Sequence, residues 1–538
     1  MSRFPTSVKG CDSPSVTMEK GRYRMRAPST VPLADSSHLL KQPTLKHPRT
    51  RSRGGISSLM AALVVLLALA CLASFGFAYY LFTMRWGATI PHTIPDPADP
   101  NIQVIPFNSF HRSPQYPASE KFISYLPHSG LHNQRIALEN AIVLGALTNR
   151  TVLVPPIRLG SKPLRYVNSD SLQHTLAISG KTGLRHCSQI RTQFMPPECF
   201  DYFHYTHISP WWLFNLAPSN TSPPLIYLDD LSGLSMRRRL QLPISDILTL
   251  RDSTPYHYRF MDTMIDTTPL KHKYTEIVYI PDLAQYPHRL IELGTLFGSS
   301  RLRLRDRDNR QIRTQIRQRM EFSSPQLVEI ADAIEMAIGA PYLGAHVRLG
   351  DGSFRANGGD NLRQVWWKLV HEILQFNISD TLRFERTFQM STSTEPFKTS
   401  SSAANNSWPH FPLAHFSSGN LRCRGHRHPS AHMDRLNIPL FIATDVKNPT
   451  TDPSFLGFLR TFPCSFFLAD FAAHTRGLDR LRNEYDGTAM RPFLLPLLDA
   501  MVVGRASVVA GTDGSTFSRF IQDVLWRRHH GLSIVERG

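Results

Sequence analysis

The residues of this chain best suited to chemistry stand in the octet Gly344-Ala-His-Val-Arg-Leu-Gly-Asp351. An apolar run, Tyr342 to Val347, ends in Arg348, Gly350 and Asp351. In an open α/β sheet, ligands bind just beyond the carboxyl ends of the strands. A guanidinium there, with its planar fork of donors, suits a diphosphate. Taken alone, the octet is equally a surface turn in which Arg348 pairs with Asp351. Two more turns offer similar chemistry. Ser129-Gly-Leu-His-Asn-Gln-Arg135 has Gly130 to permit a tight backbone, and the helix N-terminus that follows favours an anion. Gly511-Thr-Asp-Gly-Ser-Thr-Phe-Ser518 offers glycines, hydroxyls and again the start of a helix. None is a Walker P-loop and none matches GxGxxG. No DxD pair makes a clear cation site: Asp306-Arg-Asp308 lies in an arginine run, and Asp229 and Asp230 are adjacent.

These turns need elements to hold them. Phe122 to Leu126 reads as a strand, Asn133 to Leu147 as a helix, and Thr151 to Val154 as a second strand, which makes a βαβ unit. Ile136, Asn140, Val143, Leu144 and Leu147 fall on one face of that helix. Ser324 can cap a helix with Pro325 at its first position and Gly339 beyond its end. Pro439 to Ala443 and Ala506 to Ala510 read as buried strands, with an apolar helix from Phe493 to Met501 between them. Such alternation predicts a parallel α/β architecture in two sandwich domains with a cleft between them.

The chain has 538 residues and a formal charge of +18. That charge invites a nucleic-acid reading, but its distribution weakens it. Within residues 1–57, eleven bases against three acids leave +8, in a Pro/Ser-rich stretch that reads as a disordered tail. No charge appears from Arg53 to Arg85, and Leu59 to Phe82 is long and apolar enough to cross a bilayer. It is too long and too far from Met1 for a cleaved signal peptide. The basic flank belongs in the cytosol. The expected layout is a tail over 1–57, a signal anchor over 58–83 and a Pro-rich stem over 84–118. Two domains follow, over 119–320 and 321–530, in the secretory lumen.

Four cysteines follow the anchor: Cys187, Cys199, Cys423 and Cys464. In an oxidising compartment they favour disulfides. Cys187 with Cys199 closes a short loop and leaves Cys423 with Cys464, although other pairings and free buried thiols stay open. Sequons stand at Asn149, Asn220, Asn377 and Asn405; Asn149 also ends the predicted helix. Residues 380–435 break the α/β rhythm and read as a long disordered insertion, whose histidines lack metal-site spacing. The arginines from Arg301 to Arg319 read as a solvated face.

The motifs carry a resemblance. Gly130-Leu-His-Asn-Gln-Arg135 with Asn149-Arg-Thr-Val-Leu-Val-Pro-Pro156, then His346-Val-Arg-Leu-Gly-Asp351, Phe441-Ile-Ala-Thr-Asp445 and Gly511 to Ser518 resemble the GDP-fucose protein O-fucosyltransferase superfamily, in the family's order. These are type II membrane glycosyltransferases of the Golgi or endoplasmic reticulum. The resemblance implies a GT-B-like pair of Rossmann-type domains, GDP-fucose as donor, a protein or glycan acceptor, inversion at the anomeric carbon, and no metal or cofactor. By position it implies that Arg348 contacts the diphosphate and that Asn133 lies near the β-phosphate and acceptor. His346 and Asp351 orient the Arg348 turn, and Asp445 serves the guanine or ribose. Ser515, Thr516 and Phe517 bind phosphate and pack the nucleotide, while Gly130 and His132 belong to the donor turn. Some relatives place a basic glutamate where this chain has Gly130, so no base is evident. His132 is a candidate, and Glu139, one to two turns along the helix, is a distant substitute.

Overall fold

The computed structural model describes residues 55–85, 102–107, 116–117, 119–189, 195–218, 222–264, 273–339, 341–350, 352–390, 397 and 422–535. Residues 1–54, Asp351, Asn220 and Asn405 lie outside the described residues.

The first element, α1 (Gly55–Arg85), stands as a unit of its own. Its Met60–Phe77 window has mean hydropathy 2.5, with none of it buried inside the protein. By length and composition it can cross a bilayer, where every backbone hydrogen bond is closed within the helix.

The second unit is built on two larger parallel sheets. The first is built from β1 (Phe122–Ser124), then β2 (Thr151–Val154) after helix α2 (Leu131–Thr148), then β3 (Leu225–Tyr227), β4 (Ile247–Leu250) and β5 (Leu290–Leu293). Its five strands lie in the order β3-β2-β1-β5-β4, all parallel. The order reverses between β1 and β5, the kind of switch point where α/β sheets hold ligands. Helices α3 (Arg307–Gln318) and α4 (Pro325–Ile338) lead to the second sheet. Its strands are β6 (Leu343–Val347), β7 (Leu440–Thr444) and β8 (Ser465–Phe466), then β9 (Val508–Gly511). Helix α5 (Gly358–Trp367) follows β6, α6 (Arg491–Gly504) precedes β9, and α7 (Thr516–Phe520) follows it. The order is β8-β7-β6-β9, again parallel. The strands of the first sheet all precede residue 320 and those of the second all follow 321. This is the paired Rossmann-type α/β architecture that the sequence predicts.

The central strands are covered on two faces, so they are nearly apolar runs rather than alternating ones. All five β6 residues and all four of β2 are buried. Helix α4 has the predicted boundaries: Pro325 at its first turn and Gly339 beyond its end with φ 77°. Leu327, Ala331, Ile334 and Ile338 are its buried face, and truncating any of the larger ones to alanine costs about 2–5 kcal/mol. The Ser324 hydroxyl, expected to cap, donates to Gln326 Oε1 instead. Helix α2 departs from its predicted single apolar face. Gln134, Arg135, Ala137, Leu138 and Glu139 are buried as well as Asn140, Val143 and Leu144, because the helix packs between its own sheet and α7 of the second half. Asn149 ends it in the left-handed conformation, with its N–H on Gly145 O.

Three expectations need correction. The stem over 84–118 is not wholly outside the fold: Gln103–Ile105 pairs in parallel with Leu481–Asn483, and Phe107 N–H donates to Glu484 Oε2 at 2.7 Å. A three-residue strand among prolines has too little periodicity to be read from sequence. The insertion over 380–435 is narrower than expected. Ile378–Thr387 is a helix whose N-cap is the Asn377 side chain, and Ala431–Asn437 forms a helical turn. Residues 398–421 lie outside the described residues. The arginine run is a solvated face only in part, with Arg305, Arg307 and Arg310 exposed. Arg301, Arg313 and Arg317 are buried, and Arg301 donates to the carbonyls of Tyr258, Pro255 and Phe297. Guanidiniums there close off backbone acceptors that a loop-rich edge leaves unpaired.

The disulfides are Cys187–Cys199 and Cys423–Cys464. The grouping of His186 with Cys187 and Cys199, the metal-like cluster found among the described residues, has its thiols consumed in the first of these. The described histidines of the insertion disperse: His428 bonds Thr461 O, while His432 meets Asp380 and packs on Phe376.

Candidate active site

Strand β6 delivers Arg348, and its neighbours fix the turn around it. β9 lies alongside β6, so the third turn starts one strand away from the second. Thr512 knits them together: its N–H donates to His346 O at 3.1 Å, and its hydroxyl accepts from Arg348 N–H at 3.1 Å. His346 is buried and its Nδ1 lies 2.6 Å from Ser518 Oγ, while its ring meets Phe517 edge-on at 5.3 Å. Burial, then the nearby Arg348 charge, pushes His346 down to about 3. It is a neutral hydrogen-bonding post at physiological pH.

On the other side of β6, β7 ends in Thr444 and Asp445. The Asp445 carboxylate accepts from Leu349 N–H at 2.8 Å and from Gly350 N–H at 2.9 Å. A Cβ at position 350 meets Asp445 Oδ2 at 2.7 Å, so glycine lets the carboxylate close on the turn without shifting. Asp445 therefore orients the turn that carries Arg348. The Arg348 guanidinium itself stands 5.3 Å from the Phe354 ring centroid.

The third turn is also braced from outside. Gln364 and Lys368, one helical turn apart, reach Asp513: Gln364 Nε2 at 2.5 Å and Lys368 Nζ at 2.5 Å, with Lys368 also on Gly511 O at 3.0 Å. The sequence held this pair as an i,i+4 repeat, which without the fold reads as a solvated face. A Cβ at Gly511 meets Ser518 Cβ at 2.7 Å, so the strand end and the following helix touch only because it is glycine. Ser515 is buried and its hydroxyl caps Ser518 N–H at 3.2 Å. Thr516 is exposed and Phe517 half-buried.

The first turn reaches the third through α2. The His132 ring lies 5.0 Å from Phe520, and Arg135 stacks over the same ring at 5.1 Å. Asn133 stands in the first turn of α2 with its side-chain Oδ1 buried and without a hydrogen-bond partner. A buried carbonyl oxygen in that condition is costly unless a ligand donor meets it. Gly130 is the N-cap with φ −74°, so it supplies no special conformation; the left-handed residue is Ser129, at φ 64°. His128 Nδ1, 2.7 Å from Ser129 Oγ, holds that conformation, helped by Ser129 N–H on Leu164 O.

Neither base candidate is placed to act. Burial and then Arg135 drive His132 well below its usual range, and Arg135 Nε points at its Nδ1 at 3.4 Å. Burial alone raises a carboxyl, but Arg317, Arg135 and Arg313 overcome it and hold Glu139 at about 2. Arg317 grips Glu139 at 2.8 and 2.7 Å. Asp351 lies outside the described residues, so its expected part in orienting the turn has no geometry to go with it.

Three turns that the sequence singled out thus belong to one connected assembly at the carboxyl ends of two parallel sheets. Its chemistry is a guanidinium, oriented N–H and O–H donors, and an orphaned amide oxygen. That set suits an anionic, hydrogen-bonding ligand.

No family model matches the chain. A curated Arabidopsis thaliana protein, O-fucosyltransferase 30, is 41% identical to it over 58 residues, a match that covers 10% of this chain and 11% of that protein. Solved structures of POFUT1 in complex with GDP and with GDP-fucose are similar at a TM-score of 0.34 each. Their identities are 10% and 12%, over 77% of this chain and 96% and 95% of theirs.

Proposed function

We propose that the chain is a glycosyltransferase that moves fucose from GDP-fucose to a hydroxyl acceptor, a Ser or Thr of a protein, with inversion and without a metal ion. The observation that carries this reading is the joining of the Arg348 turn to the Thr512–Ser518 turn, with α2, whose first turn holds Asn133, packed against α7. The motif resemblance supplies the identity of the donor. In the reaction, the acceptor oxygen attacks the anomeric carbon as the bond to the β-phosphate breaks; the electron pair leaves with GDP, and the acceptor's proton passes to the departing phosphate oxygen. Arg348 and the hydroxyls of the third turn stabilise that growing charge, which is where electrostatic catalysis acts. The described carboxylates beside Arg348 support metal independence: Asp445 is taken up by Leu349 and Gly350 N–H, and Asp513 by Gln364 and Lys368. The apolar helix α1 supports a single-pass type II anchor, with the head in the lumen of the Golgi or endoplasmic reticulum.

A second reading has an observation in its favour. The carboxylate nearest the first turn, Glu139, is locked by arginines, which suits a membrane-anchored protein that binds a nucleotide sugar or glycan without turning it over. Calorimetry of the detergent-solubilised chain with GDP-fucose, GDP, UDP-sugars and CDP-sugars tests the donor. Binding of GDP-fucose above the others supports both readings; a preference for another nucleotide sinks them. Release of free GDP from GDP-fucose then separates enzyme from binder.

A further inference from the structure

The first sheet keeps a pocket of its own. It lies where the strand order reverses between β1 and β5, the place at which an α/β sheet holds ligands. Ser124 and Tyr125 at the end of β1, Leu250 and Arg251 at the end of β4, and Leu293 and Gly294 at the end of β5 line it. Ser169 and Gln173 join them from the helix Ser169–Ile178. The space is about 470 Å³ and open to solvent, a size that small-molecule sites share. Among the described residues, none from the Ser129–Arg135, Gly344–Asp351 or Gly511–Ser518 turns lines it.

Four polar side chains around this pocket have no hydrogen-bond partner among the described residues: Ser124, Tyr125, Ser169 and Gln173. Tyr125 and Ser169 are each only 6% exposed, and Ser124 and Gln173 are half-buried. Burial alone pushes the Tyr125 phenol up, so it stays a neutral donor. Hydroxyls and amides held this far from bulk water are costly unless a ligand meets them. The charged members are two carboxylates, Asp170 and Glu292, and one guanidinium, Arg251, a balance of −1. Arg251 lies 3.6 Å from Asp170, and Glu292 accepts from Thr249 Oγ1 at 3.0 Å. That balance disfavours a phosphate, the reverse of the Arg348 turn. Hydroxyls and an amide both donate and accept, which matches the rim of a sugar ring, and Leu126, Leu228 and Leu293 offer apolar surface for its C–H face. We infer that this pocket binds an uncharged pyranose unit of a glycan, at the carboxyl edge of the first sheet and apart from the nucleotide. It takes such a unit whether or not the donor is GDP-fucose, and so holds glycan-bearing partners on the head.

The test uses the full chain, solubilised in a detergent without a sugar headgroup, on an array of neutral mono- and oligosaccharides with sialylated and phosphorylated glycans beside them. The best-retained neutral sugar is then titrated in solution. The expected result is saturable binding of a neutral saccharide that persists when the protein is saturated with GDP. Tyr125→Phe keeps the ring and removes the unpartnered hydroxyl. It should weaken the sugar about tenfold, the worth of one hydrogen bond, while the melting temperature holds or rises. Gln173→Ala should weaken it by a similar factor. Retention of no saccharide, retention of acidic glycans alone, or unchanged affinity in both variants overturns the proposal. So does displacement by GDP, which makes the pocket part of the donor site. GDP affinity is read on the same samples, so failure of the donor reading with sugar binding intact shows up separately.

Discussion

Replacing Asp445 asks whether it touches the nucleotide or holds the turn that does. Its carboxylate accepts two backbone N–H groups, at 2.8 and 2.9 Å, from the residues immediately after Arg348. Charge-assisted bonds of this kind are each worth about 1.5 kcal/mol at the low end of their range, and Asp445 is exposed, so the low end applies. Asp445→Asn keeps one acceptor and turns an N–H₂ toward the other donor, so it should lose about 1.5 kcal/mol of restraint, or roughly tenfold in the population of the competent turn. Asp445→Ala loses both bonds, about 3 kcal/mol, or roughly a hundredfold. The assay is GDP release from GDP-fucose, with GDP affinity and melting temperature measured in parallel. A turn-holding role predicts that kcat falls by those factors, that nucleotide preference is unchanged, and that the melting temperature hardly moves. If Asp445→Asn leaves kcat intact and instead loses discrimination between GDP and other nucleotides, the carboxylate reads the nucleotide and the reasoning fails.

Other outcomes follow from the same geometry. Arg348→Ala should abolish GDP release, and Arg348→Lys should restore little, because an ammonium lacks the bidentate fork; full activity in the alanine variant removes Arg348 from the mechanism. GDP release should persist in chelator, and activity that vanishes there and returns with Mn²⁺ refutes metal independence. Glu139 has a folded pKa depressed to about 2, so its stabilising share is present above its unfolded value near 4.5 and is lost as pH falls from there toward 2. Glu139→Gln should cost about 3 kcal/mol at pH 7 and far less near pH 2, by denaturant melts at both; a deficit that does not change with pH refutes the charge argument. Asp252 is the reverse case, raised by burial to about 6, so its favourable share is present below about 4 and is lost as pH rises through 6. Asp252→Asn should therefore be at least as stable as the parent at pH 7.5 and relatively weaker at pH 4.

The legible parts of this fold were those in which local chemistry and tertiary fate agree. Thr151–Val154 is β-branched, buried on both faces and bounded by Pro155, and its strand was read to the residue. Helix α4 has Pro325 and Gly339 at its ends, and those signals act within a few residues of the chain. The three turns were legible for the same reason, as glycines and hydroxyls set between apolar runs. What stayed hidden depends on partners far along the chain. Arg313 and Arg317 look solvated until Glu139, which lies 178 positions before Arg317, is folded against them. The hold of Asp445 on the Arg348 turn is hidden for the same reason, since the N–H groups of Leu349 and Gly350 come from nearly a hundred positions away. Ser129 carries the positive φ beside a glycine that does not, because His128 and Leu164 hold it there.

One apolar cluster runs without a break from Ile123 in the first sheet, through Leu327 and Ile334 on α4, to Val509 and Trp526 in the second half. Two halves that share their interior have no separate melting points to express. The described head should show a single calorimetric transition whose van't Hoff enthalpy equals the measured heat. Cutting the chain at the boundary between the sheets would yield two fragments that each expose half an interior, so neither should fold alone. A split-protein pair should regain structure only on mixing, and a lesion in either sheet should deplete the whole head from the cell rather than disable one lobe of it.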